Sequence, residues 1–76
     1  MTKKKAKKRD ITKVYTKKEF IKKIRRLADA LEQDKKFTIQ VAGERINIPK
    51  DAEINIEHER GSGEEELEFQ IVWKNN

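Results

Sequence analysis

The chain holds one histidine, His58, one serine, Ser62, and no cysteine, so the side chains that most often carry catalysis or bind metal are nearly absent. A hydroxyl nucleophile needs a base within hydrogen-bond reach. Ser62 instead stands between Gly61 and Gly63, in a segment that reads as a flexible loop. His58 has no second histidine or thiolate with which to build a zinc site. It continues the alternation of Ile54 and Ile56 and is expected partly buried at the rim of a sheet. Gly61-Ser62-Gly63 lacks the strand–loop–helix setting of a phosphate loop. Glu53, Glu57, Glu59, Glu66 and Glu68 fall by alternation on the outer face of a sheet, as a solvated surface or as a surface for a divalent cation or basic partner. These residues lead to the expectation of no enzyme, no cofactor, no metal site and no small-molecule substrate.

Cations form the second chemical grouping. Lys3, Lys4, Lys5, Lys7, Lys8 and Arg9 crowd the first ten residues, and Lys18, Lys22, Arg25 and Arg26 follow on a segment of helical period, placed opposite its apolar stripe. Lys18–Lys22 and Lys22–Arg26 are like-charge pairs four residues apart, each unfavourable by a few tenths of a kcal/mol. Lys17 and Lys18 also sit in a first turn, where the helix dipole favours anions. Glu19–Lys23 and Arg25–Asp29 offset this only in part. Cations gathered against local preference point to an anionic partner. Nucleic acid held through its backbone phosphates, without sequence readout, is the expected one.

These charges sit in a lopsided chain. Residues 1–36 contain 15 Lys/Arg and 5 Asp/Glu, residues 37–76 contain 4 and 9, and the net charge of +5 hides this division. With 76 residues there is room for one domain, read here as a disordered lysine-rich tail at 1–10 and a single domain at 11–76. Hydrophobic residues are 34% and charged residues 43%, so a core must draw on nearly every apolar side chain. The absence of cysteine fits a reducing compartment. MTKKKAKKRD leads into no apolar signal region, and no apolar run approaches the roughly 20 residues of a membrane span. A cytoplasmic location is expected.

The apolar residues recur with clean periods. Ile11, Val14 and Tyr15 form a lead-in. Thr16-Lys17-Lys18-Glu19 is a capping box, with Tyr15 and Phe20 at hydrophobic-staple positions. Phe20, Ile24, Leu27, Ala28 and Leu31 then follow i, i+4, i+7, i+8, i+11, predicting an amphipathic helix that ends near Gln33. Beyond it the period is two. Phe37, Ile39 and Val41 alternate to a two-residue turn expected at Gly43-Glu44, and Ile46 and Ile48 continue to Pro49. Ile54, Ile56 and His58 form a third run, and Leu67, Phe69, Ile71 and Trp73 a fourth. The expected fold is α+β: one helix packed on a four-stranded antiparallel meander, in the order α-β-β-β-β. Trp73 shares the phase of the last run and is expected in the core; a stacking surface is its alternative role.

The helix segment Arg26-Leu27-Ala28-Asp29-Ala30-Leu31-Glu32 and the last run, Glu66 to Trp73, resemble the amphi-Trp domain family, which joins a LADAL-type helix to amphipathic strands ending in a tryptophan. The resemblance covers roughly residues 14–74. It implies the domain extent and a prokaryotic setting, and brings no biochemical activity and no site residues.

Two roles follow. The first is a small binding module contacting an anionic partner through the helix cations and the tail. The second rests on area. A sheet of four strands is about 19 Å wide at roughly 4.8 Å per strand, whereas one helix covers about 10 Å. The uncovered apolar face, or the edge of the last strand, would then serve self-association as a homodimer or docking of a protein.

Overall fold

A computed structural model describes residues 9–75. Helix α1 spans Lys17–Glu32, followed by β1 (Phe37–Val41), β2 (Glu44–Ile48), β3 (Glu53–Gly61) and β4 (Glu64–Val72). The order is the expected α-β-β-β-β with antiparallel pairing, but the strands form two hairpins, β1–β2 and β3–β4, with no ladder between β2 and β3. Pro49 ends β2 without an amide to donate, and the Pro49–Ala52 connection closes as a turn, the Ala52 amide donating to the Pro49 carbonyl at 3.2 Å.

Helix α1 begins as its residues dictate. The Glu19 amide donates to Thr16 Oγ1 at 3.1 Å and the Thr16 amide donates to Glu19 Oε1 at 3.3 Å, the reciprocal capping box. It ends in a Schellman turn. The Lys35 amide donates to the Ala30 carbonyl and the Asp34 amide to that of Leu31, with Asp34 in the left-handed region at φ 57°.

Opposing apolar pairs set the register of β1–β2, with Phe37 facing Ile48 and Ile39 facing Ile46. That alignment places the turn at Ala42-Gly43, both at positive φ, one residue earlier than the expected Gly43-Glu44. A one-residue slip would have turned every apolar side chain to the other face, so the register overrides the preference for glycine first. In the second hairpin Gly61 belongs to β3, and the loop shortens to Ser62-Gly63.

The core is small. Among the described residues Phe37 and Ile48, directly opposite one another, are the buried apolar ones, at 7% and 8% exposure. Helix α1 packs against β1 and makes no comparable contact with β3 or β4. The face it turns inward is not the centre of its apolar stripe. Lys23, Leu27 and Ala30, spaced i, i+4, i+7, are half-buried, while Phe20, Ile24 and Leu31 remain open. Two cation–π contacts lie on this inward face. Lys23 Nζ lies 4.6 Å from the Tyr15 ring centroid, and the Arg26 guanidinium 4.9 Å from that of Phe37. The expectation that the core draws on nearly every apolar side chain therefore does not hold: the helix closes on the first hairpin, and the second leaves its apolar face open.

Candidate interaction surfaces

The β3–β4 register sorts the second hairpin into two faces. On one, Ile54 faces Ile71, Ile56 faces Phe69 and His58 faces Leu67. All but Ile71 are exposed, Ile56 to 63% and Phe69 to 72%. Leu27 and Leu31 of the helix stand across from this face, and between them lies an open cleft of about 460 Å³ lined also by Ile54, Ile56, Phe69 and Ile71. The stripe residues Phe20 and Ile24 extend the open apolar surface along the helix.

The opposite face is acidic, as the alternation predicts. Glu57 pairs with Glu68 and Glu59 with Glu66, two cross-strand pairs of like charge. One amide relieves part of this strain: Gln70 Nε2 donates to Glu57 Oε1 at 2.9 Å and to Glu68 Oε1 at 3.0 Å. Glu66 has no such donor. A hydrogen bond shared with Glu68, then repulsion from Glu68, Glu59 and Glu57, pushes its carboxyl above the usual range. At the turn end His58 Nε2 lies 3.0 Å from Glu65 Oε1 and Arg60 Nη2 donates to the same oxygen at 3.3 Å, holding Glu65 below the usual range. His58 is thus exposed and paired, not partly buried. Among the described residues no group of three His, Cys, Asp or Glu is arranged to hold a metal ion, and no helix is long and apolar enough to cross a membrane.

Of the cations predicted to meet an anion, the described ones divide between the fold and the solvent. Lys3, Lys4, Lys5, Lys7 and Lys8 lie outside the described residues. Arg9 is engaged in the fold: its guanidinium donates to the Val41 carbonyl at 2.6 Å and pairs with Glu44 at 3.0 Å. Arg26, expected opposite the stripe, reaches β1, where it covers Phe37 and donates to the Thr38 carbonyl at 2.7 Å. Lys18, Lys22 and Arg25 remain exposed on the helix.

Trp73 follows β4 and is half-buried, not enclosed. It lines an open cleft beside the connection between the hairpins, with Pro49, Asp51, Ala52 and Glu53, and is not among the buried core residues.

The arrangement defines a small α+β domain of one helix and two hairpins. The chain belongs to the Amphi-Trp domain family, whose model matches residues 2–76 and so extends across the lysine-rich segment. No curated protein and no solved structure matches the chain.

Proposed function

We propose that this chain is a protein-interaction module without catalytic chemistry of its own, and that it docks a polypeptide through the apolar surface shared by α1 and β3–β4. The observation that carries this reading is the Ile56–Phe69 pair, opposed at the centre of β3–β4 and mostly open. Exposing two such side chains together costs solubility unless a partner covers them. The cleft beside them has an apolar floor suited to side chains of a partner. The test is binding of the apolar fluorophore ANS to the full chain. The fluorophore should bind, and Phe69→Lys should abolish the signal with unchanged far-UV circular dichroism. A monomeric chain that leaves ANS dark contradicts the reading.

A second reading keeps Lys18, Lys22 and Arg25 as phosphate contacts, because all three are exposed without a carboxylate at ion-pair distance among the described residues. Two of its ten expected cations, Arg9 and Arg26, are occupied within the fold, which weakens it against the first. Retention on duplex DNA at low salt, falling steeply as salt rises, would support it.

A further inference from the structure

We infer that the polypeptide docked on this surface is a second copy of the chain, with the helix of each copy seated on the β3–β4 hairpin of the other; this rests on the interaction-module reading above. Three observations carry it.

The first is area. At about 200 Å² for a large apolar side chain, the exposed fractions of Phe20, Ile24, Ile54, Ile56, Leu67 and Phe69 amount to roughly 700 Å². Covering both surfaces at once would approach the roughly 800 Å² that each partner contributes to a standard interface. The surface is therefore sized for a stable partner, and Leu31 and Ile21 add to it.

The second is charge. Helix α1 carries six Lys/Arg against three acidic residues, and the segment from Glu53 to Val72 carries seven glutamates against Arg60 alone. The two apolar surfaces left open thus belong to elements of opposite sign on one chain. Six of the seven glutamates lie on the hairpin face turned away from the apolar one, so the charges act between whole elements and not at the contact itself: hairpin on hairpin sets two anionic elements side by side, and helix on helix two cationic ones. Both juxtapositions are penalised, and helix on hairpin is attractive.

The third is symmetry. A chain that offers two complementary surfaces can satisfy both at once in a two-fold dimer, because each contact is repeated by the axis. Within one chain α1 has turned its flank to β1, so its stripe and the hairpin face stand apart across the cleft, each free to receive the other's counterpart.

The experiment is sedimentation equilibrium of the full chain across a concentration series, with ANS fluorescence on the same samples. The wild-type chain, 9.0 kDa as a monomer, should reach twice that mass, with ANS signal falling as the mass rises. Phe20→Glu and Phe69→Lys each set an unpaired charge in the apolar contact, so each variant alone should stay monomeric. An equimolar mixture of the two should recover the dimer mass, since one contact is wild-type and the other pairs unlike charges. A Phe20→Glu chain that dimerises like wild type overturns the reciprocal arrangement. A wild-type chain that is monomeric throughout but binds ANS overturns the second-copy inference and leaves the interaction surface standing. A monomer that also leaves ANS dark overturns both.

Discussion

Ile56 and Phe69 face each other across β3–β4 on the side of the hairpin that the period-two pattern marks as apolar, yet they are 63% and 72% exposed, while the equivalent pair in β1–β2, Phe37 and Ile48, is buried. The same pattern thus gives a core in one hairpin and a surface in the other. The difference is which of them α1 covers, since a single helix is about one strand pair wide.

Core truncations should therefore be unequal. Phe37→Ala is expected to cost about 3–5 kcal/mol, the range for a buried aromatic, and to remove the ring under Arg26. Phe69→Ala in dilute solution should change stability by under about 0.5 kcal/mol, as for an exposed position. Trp73→Ala, half-buried, should fall between the two. Urea midpoints at low protein concentration give all three, and a Phe69→Ala loss equal to that of Phe37→Ala would place Phe69 in the core.

Both ends of the helix and the strand segments were legible in the sequence, because they depend on local chemistry and on period. Thr16 and Glu19 mark the start, and Phe37, Ile39, Ile46 and Ile48 alternate as β1 and β2 require, with the turn between them one residue earlier than expected. What was not legible is which helical face turns inward. The inward face carries Arg26 on Phe37 and on the Thr38 carbonyl, and Lys23 on Tyr15, contacts of cations that hydrophobic periodicity scores as surface. The division into two hairpins was equally hidden, since period-two alternation reports which side of a strand is apolar and is silent on which strand lies beside it. Arg9 and Arg26 look like the other cations of the N-terminal half, and only the fold separates these two from those left facing water.

Two residues hold left-handed backbone without being glycine, Asp34 and Ala42. Ala42→Gly should raise stability by about 1 kcal/mol by removing the Cβ penalty of that conformation. Ala30→Gly, in the helix, should lower it by about the same amount. Thermal denaturation compares them directly, and equal losses in both variants would argue against the Ala42-Gly43 turn.

Acid titration should separate the neighbouring glutamates of β4. Glu65 is held below the usual range by His58 and then Arg60, so its contribution is present above the ordinary carboxylate range and lost as pH falls through its lowered value. Glu66 is raised by Glu68, so its repulsion weakens the hairpin at neutral pH and is relieved as pH falls through its raised value. Glu66→Gln should therefore stabilise the chain at neutral pH and Glu65→Gln destabilise it, with both differences vanishing well below the carboxylate range. Denaturant midpoints at the two pH values check the signs; a shared sign contradicts this electrostatic reading.

Replacing the N-cap, Thr16→Ala, should cost about 1 kcal/mol by stripping the Glu19 amide of its acceptor. The loss should appear as reduced helical ellipticity on heating. Undiminished ellipticity would show that packing on β1, and not the cap, holds the first turn.

The most direct measurement is paramagnetic relaxation of the Ile54 and Ile56 methyl resonances by a soluble, neutral relaxation agent, recorded on dilute and on concentrated chain. In the dilute sample these methyls should relax as fast as that of exposed Val14, and far faster than that of buried Ile48. Concentration should then protect Ile54 and Ile56 while leaving Val14 unchanged. Methyls of Ile54 and Ile56 as protected as Ile48 in the dilute chain would mean that the hairpin is covered from within, and the account would be wrong.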